Sequence, residues 1–406
     1  MKTRSTYSVL LILGLLMQCG KAPQDSPSAM RGVDDDEIRI GSWAPQTGPA
    51  ALWGAVARGM DCYFQLVNEE EGGIHGRKIK FIHRDDGYQP PRTRAVVKEM
   101  VERDEVFGFA GGVGTAPGMA VRDYLIKNKI PWVAPSSGSS HWAWPKAENI
   151  FSIYPLYYDE AALLVDYAVN ELGKTRFGFV YQNDDYGKSG LTGANLALEG
   201  HGLEHAVAVS TEIMDTDLSA QVLKLREAGV EVVIIWLLPK QAQILVSSSA
   251  KLDFKPQWMT SSALSDQQLM MELTNGAWKG TIYSSFANFW DLENPRMARY
   301  HKAWQKYASH EKWGPFFISG FMYAEPIAEG LRRCGPEITY EKFIEAMESF
   351  DNFQGLGPPL TFGPDIRQGR RSSRLFRCDG PTDAIKLVDL ITANIDVDEA
   401  IRRMNQ

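Results

Sequence analysis

Between residues 38 and 140 the chain repeats one unit, a short apolar run followed by a helical one, and after Phe151 the unit starts again. The first series predicts strands over 38–42, 77–83, 106–110 and 130–133, with helices between them. One helix runs to about residue 71, with Val56, Met60, Phe64 and Val67 at helical spacing. Gly72 and Gly73 stop it. Two further helices are expected over 93–103 and 116–127. The second series predicts a helix over 159–171 and strands over 177–181, 230–238, 258–261 and 281–285. Helices follow over 295–309, 318–333 and 340–349. The run 230–238 is strongly apolar, as expected of a strand covered on both faces. Strands alternating with helices imply βαβ units and a mostly parallel sheet. Two such series imply an α/β chain of two doubly wound lobes. Ligands of such sheets bind beyond the carboxyl ends of the strands. The loops that matter are therefore 45–53, 111–117, 135–140, 182–187, 236–241 and 260–265.

The first residues add a location. Lys2 and Arg4 precede an apolar run over 9–17 that ends at Cys19. A basic segment and a short apolar one form a secretory signal. The run is about half the ~20 residues a bilayer span needs. Cys19 stands at the acceptor position of a lipidated signal, although Gln18 replaces the small residue usual before it. A plain signal peptide is the alternative. Residues 1–19 are thus read as signal and the Pro/Ser-rich 20–36 as a flexible tether. A net charge of -7 without a Lys/Arg block argues against nucleic acid as a partner. Cys334 and Cys378 could pair in an oxidising compartment, or stay free. Cys62 is expected buried on a helix, and no Cys/His spacing suggests zinc.

Two loops carry binding chemistry. Gly111 to Thr115 join a strand to a helix, so backbone amides near Gly112 and the Thr115 hydroxyl can meet an anion at the helix start. The alternative is a tight turn with Thr115 as cap. Pro117 stands where a dinucleotide fingerprint needs its third glycine. Ser136, Ser137, Ser139 and Ser140 flank Gly138 and can hydrogen-bond a polar ligand, or simply cap the next helix. Trp53 and Trp236 lie at strand ends, where aromatic rings line pockets. Asp85-Asp86 and Asp184-Asp185 read as turn and helix caps. No nucleophile elbow or complete phosphate loop is present. No catalytic residue, metal or cofactor is therefore assigned.

Several segments then fall in a known order. They are Thr47-Gly48-Pro49 with Gly54; Asn68 with Gly72-Gly73-Ile74-His75-Gly76-Arg77-Lys78; Asp85-Asp86 before Pro90; and Gly111 with Thr115 and Ala120. Ile130-Pro131 with Pro135, and Tyr181 with Asp184-Asp185-Tyr186-Gly187, follow. Over about residues 37–390 the chain resembles the solute-binding proteins of branched-chain amino acid ABC transporters, the Leu/Ile/Val-binding type. The resemblance implies the type I periplasmic-binding-protein-like fold, two lobes joined by three crossovers that close on ligand. The crossovers are expected near 151–155, 283–286 and 358–362. The first lobe would hold 37–152 and 285–358, the second 153–284 and 359–390, and 391–406 would form a helical tail.

By the same resemblance Trp53 covers the ligand, Thr115 binds its carboxylate, Ser136 contacts it after the fourth strand, and Tyr186 adds an aromatic from the second lobe. Gly138 departs from a usual Thr, and Trp236 and Leu237 replace a Gly/Tyr-rich strand end. Near Ser261 and Ser262 the acid that pairs with a ligand ammonium is missing, Asp266 being the nearest. The expected ligand set is Trp53, Gly112, Thr115, Ser136, Ser137, Gly138, Tyr186, Trp236 and Ser261. The implied function is the receptor of an ABC importer, monomeric, tethered through Cys19 and partnered by a permease. Its ligand would be an amino acid or a related small carboxylate with an apolar or aromatic body. A sensor of the same fold is the alternative, and an envelope enzyme a third reading.

Overall fold

The computed structural model describes residues 30–289 and 291–405. The signal segment, most of the tether, Cys19 and Trp290 lie outside the described residues. The chain opens with β1 (Glu37–Ala44), α1 (Ala55–Glu70), β2 (Lys78–Asp85), α2 (Pro90–Glu102), β3 (Gly108–Ala110), α3 (Thr115–Lys127), β4 (Trp132–Val133) and β5 (Ile150–Phe151). These strands form a parallel five-stranded sheet in the order β2-β1-β3-β4-β5. Next come α4 (Tyr157–Asn170), β6 (Phe177–Gln182), α5 (Asp185–Gly200), β7 (His205–Thr211), α6 (Ser219–Glu227), β8 (Val232–Trp236) and α7 (Pro239–Lys251). They are followed by β9 (Gln257–Thr260), α8 (Gln267–Leu273) and β10 (Ile282–Ser285). Three helices then return to the first sheet: α9 (Pro295–Tyr307), α10 (Pro315–Arg333) and α11 (Tyr340–Glu348). The chain ends with β11 (Ser373–Cys378), β12 (Ala384–Ile391) and α12 (Val397–Met404). The second sheet has seven strands, β12-β11-β10-β9-β8-β6-β7. It is parallel except at β11 and β12, which pair antiparallel.

Burial explains why each lobe holds. All five residues of β8 are buried, because helices cover both faces of the second sheet. In the first lobe α1 lies on α10 so closely that a side chain at Gly59 would meet the Phe317 carbonyl at 1.9 Å. A second cluster packs Trp43 against Trp132 at a tilt, and Trp132 edge to face on Trp142, under the same sheet. Residues 30–36, read as tether, are docked: Val33 bridges Ile38, and the Arg31 guanidinium donates to the Val106 carbonyl at 2.9 Å.

The lobes meet where three segments cross. The first leaves β5 through residues 152–156, and the second leaves β10 through Phe286. The third stays with the first lobe longer than expected. The Phe362 amide donates to the Phe350 carbonyl and its ring packs on Phe151, so the chain passes to the second sheet only over 367–372. There the Ser152 amide donates to Arg367 and the Gly369 amide to Ser152. Arg370 joins all three crossings. Its Nε donates to the Ile153 carbonyl at 2.6 Å and Nη1 to the Pro358 carbonyl at 2.7 Å, while the guanidinium lies 5.5 Å from the Phe286 ring. Burial lowers its pKa to about 10.

The Cys334–Cys378 pairing is corrected by this layout. Both thiols are free, as is Cys62. Cys334 follows α10 on the first lobe, whereas Cys378 ends β11 in the second sheet. A disulfide needs Cα atoms within about 7 Å, which residues on different lobes do not offer.

Candidate functional site

Each strand end in the cleft delivers one piece of a wall. After β1, a tight turn carries Trp53, whose ring stacks on Phe316 at 4.3 Å. After β2, the Asp86 carboxylate accepts from the Tyr88 amide at 3.0 Å and the Thr93 hydroxyl at 2.8 Å, fixing Tyr88. After β3, Gly111, Gly112 and Gly114 all have positive φ. A Cβ at Gly114 would stand 2.5 Å from the Tyr88 ring, so glycine lets ring and loop close together. The loop ends at α3, where Thr115 and Ala116 carry the amides that precede the first intrahelical bond, from the Gly118 amide to the Gly114 carbonyl. After β4 comes Ser136, whose amide donates to the Gly112 carbonyl at 3.1 Å.

The second lobe supplies the opposite wall. The Asp184 carboxylate caps α5 by accepting from the Gly187 amide at 3.2 Å, which sets Tyr186. The Tyr186 hydroxyl donates to the Leu237 carbonyl at 3.2 Å. Tyr157, in the first turn of α4, packs 5.0 Å from Tyr186, and Tyr154 on the first crossing packs 5.6 Å from Tyr157. Together these groups line a narrow void. Trp53, Tyr88, Val113, Gly114 and Ser136 face it from one side, with Tyr154, Tyr157, Tyr186, Leu238 and Ala263 opposite.

Two other hollows are wider. One lies around Arg374, Lys386 and Asp389 at the edge of the second sheet. The other opens at the mouth of the cleft beside Leu52 and Met214. The smaller void is the candidate because strand-end loops of both sheets converge on it. Its polar atoms are also short of partners. Trp53 Nε1 is buried without one, and Ser136 Oγ makes no hydrogen bond of good geometry, only approaching the Tyr323 phenol.

The expected residues divide into those that reach the void and those that support it. Trp53, Ser136 and Tyr186 line it. Thr115 and Ser137 stand behind the wall, their hydroxyls 2.8 Å apart, with the Tyr157 phenol near both. Gly112 does not line the void; its missing Cβ makes room for the Trp43 ring, 2.4 Å from where that carbon would be. Gly138 does not either. A side chain there would meet the Pro155 carbonyl at 2.3 Å and the Tyr157 ring at 2.8 Å. Its carbonyl accepts from the Tyr157 amide at 2.9 Å. Trp236 is a layer deeper, covered by Tyr157 and Tyr186. Ser261 caps the short turn Ser262–Leu264 by accepting from the Ala263 amide at 3.3 Å.

Tyr88, Tyr154 and Tyr157 are site residues that periodicity does not single out. Tyr88 sits in a turn, Tyr154 on a crossing, and Tyr157 at a helix start. The run Tyr154–Tyr158, dense in phenols just after the first crossing, was the available signal. No Asp or Glu lines the void. One carboxylate, Glu160 on α4, accepts from the Ser262 amide at 3.2 Å, near where an acid was expected from a different element.

A sequence model described as periplasmic binding protein matches residues 37–383. The Leu/Ile/Val-binding protein homolog 3 of Brucella melitensis biotype 1 is 28% identical over 198 residues, 48% of this chain and 53% of that protein. The chain thus spans about half the length of that curated relative. A substrate-binding periplasmic protein from Ralstonia solanacearum superposes with a TM-score of 0.80 at 25% identity, over 86% of this chain and 100% of the other. A fatty acid ABC transporter substrate-binding protein from Thermomonospora curvata shares the fold, with a TM-score of 0.82 at 22% identity over 90% and 94%.

Proposed function

The chain belongs to the periplasmic binding protein family, and from that premise we propose that it is the solute-binding receptor of an ABC importer whose ligand is a small carboxylate with an apolar or aromatic body. The void walled by Trp53, Tyr88, Tyr154, Tyr157 and Tyr186 against the start of α3 carries the reading. Aromatic rings give area for an apolar body at low entropic cost. The Thr115 and Ala116 amides at the start of α3, beside Gly114 of the wall, and the Ser136 hydroxyl would suit an anion. The lining holds no cation, so a carboxylate is held by amide and hydroxyl dipoles rather than by an ion pair. Binding at the lobe interface would draw the lobes together and present the closed form to a permease, without covalent chemistry. Cys19 would carry a lipid anchor, and the receptor would act as a monomer outside the inner membrane. Among the described residues no helix is long and apolar enough to cross a membrane.

A thermal-shift series on residues 31–406 tests the ligand class. Amino acids, aromatic acids, short fatty acids and their uncharged amides should separate. A ligand at about 100 times its Kd stabilises the folded state by about 2.7 kcal/mol. Acids should raise the melting temperature and the matching amides should not. Equal shifts for acid and amide would sink the carboxylate reading. Trp53→Ala should abolish the shift.

A further inference from the structure

The void is narrow, and a wider hollow lies outside it at the mouth of the cleft. Two segments wall both. In the turn Ala51–Gly54, Trp53 faces the void and its neighbour Leu52 faces the hollow. Across the cleft, Leu238 faces the void, while Gln241, in the first turn of α7, faces the hollow. The hollow thus carries the same cleft outwards from the void.

Its walls are mostly apolar and come from both lobes. Leu52 of the first lobe is 37% exposed, and Met214 of the second is 70% exposed. Ile213 and Ile244 extend the second wall. Single apolar side chains at a surface are ordinary, whereas a set that faces one hollow marks a binding groove. Its charged residues are engaged along their own segments. Lys240 donates to Gln243 at 3.2 Å, and the Asp215 carboxylate accepts from the Glu212 amide at 2.8 Å. One polar atom is left over. Gln241 is 2% exposed, and its Nε2 donates to the Ile213 carbonyl, which holds that segment against α7. Its Oε1 is buried without a partner.

We propose that the mouth is a distal subsite and that the solute is elongated: its carboxylate head lies in the void, its apolar tail runs out between Trp53 and Leu238 to cover Leu52 and Met214, and a hydroxyl near the far end donates to Gln241. The tail takes apolar area of both lobes out of water at once, so it favours closure, and a short solute leaves the mouth uncovered. An acceptor such as Gln241 Oε1 gains from a donor that reaches it, and a hydroxyl buried there without it would be penalised. The inference rests on the reading of the void as the carboxylate site and adds to it a length and a second polar end.

Calorimetric titration with unbranched carboxylates, from butanoate to decanoate, measures the length. Once the tail leaves the void, affinity should rise about fourfold per methylene, the scale of burying one such group. Leu52→Asn and Met214→Asn, both at exposed positions, should flatten that rise and leave butanoate unchanged. The hydroxyl has its own comparison. 10-Hydroxydecanoate should bind the wild type at least as tightly as decanoate, and Gln241→Met about fivefold more weakly than decanoate, the scale of one hydrogen bond. A rise that survives both asparagine variants, or butanoate binding with no rise, would overturn the distal subsite. A hydroxyl penalty alike in wild type and Gln241→Met would remove Gln241 from it. If no acid of the series binds, the carboxylate reading fails, and neutral alcohols then decide the subsite by itself. Octanol binding tighter than butanol, with the difference lost in Met214→Asn, supports the subsite. No such difference rejects it.

Discussion

A buried acid without a cation leaves its mark on stability. The folded-state pKa of Glu160 lies above its ordinary value of 4.5 because burial disfavours the charged form. Between 4.5 and about 7 the folded chain keeps a proton that the unfolded chain releases. Stability contributed at this position therefore falls as pH rises through that window, and the deficit is complete above it. Glu160→Gln removes the titration. Urea unfolding should find variant and wild type alike near pH 4.5, with the variant more stable near pH 8 by up to about 3 kcal/mol. A gap that does not grow with pH would refute the argument. Other residues show how far such detail was legible in the sequence. Trp53, Ser136 and Tyr186 could be read because they stand in loops beyond strand ends and match positions that the family resemblance implies. Glu160 could not, since a polar residue early in a helix looks like a solvated first turn until Ser262 and Ser284 from distant segments close over it.

Elements follow the same logic of partners. β1, β2 and β8 could be read from their apolar content. β7 and β12 were missed because one flanks the sheet and the other is largely exposed, so neither shows a buried run. α12 falls in the segment expected to be a helical tail. What it packs on was not legible, because α5 and the start of α4 lie more than 190 positions earlier. Val397 and Ala400 pack with Leu156 and Tyr158, and Arg403 pairs with Glu199 at 2.6 Å. Asp396 caps the helix by accepting from the Glu399 amide at 3.1 Å. Ending the chain at residue 391 uncovers Leu156 and Tyr158 and should lower stability by about 2 kcal/mol, the scale of one apolar side chain's burial. Affinity should be retained, since α12 is remote from the void lining. Calorimetric melting of the shortened protein checks this, and an unchanged melting temperature would show that the helix contributes nothing.

At the scale of the whole molecule, closure brings charged groups of one lobe against the other. Asp266 begins α8 in the second lobe, and its carboxylate accepts from the Leu269 amide at 3.0 Å. It also lies beside the start of α10 in the first lobe, 2.8 Å from where a Cβ at Gly314 would stand. One carboxylate thus caps a helix of one lobe while lying against the start of a helix of the other. Burial between them raises its pKa to about 6. The charged form is better hydrated when the lobes part, so rising pH through that value favours opening. Small-angle scattering without ligand should give a larger radius of gyration near pH 8 than near pH 5, and Asp266→Asn should reduce the difference. An equal change in the variant would rule Asp266 out. The lobes part about the place where Arg370 holds all three connecting segments. Strands pinned at one point can turn about it but cannot slip past one another. The motion then has a single coordinate, an angle, and the same residues of the two lobes face each other on every cycle. Under the proposed function, a solute would then be sorted by how far it lets one arc run to completion.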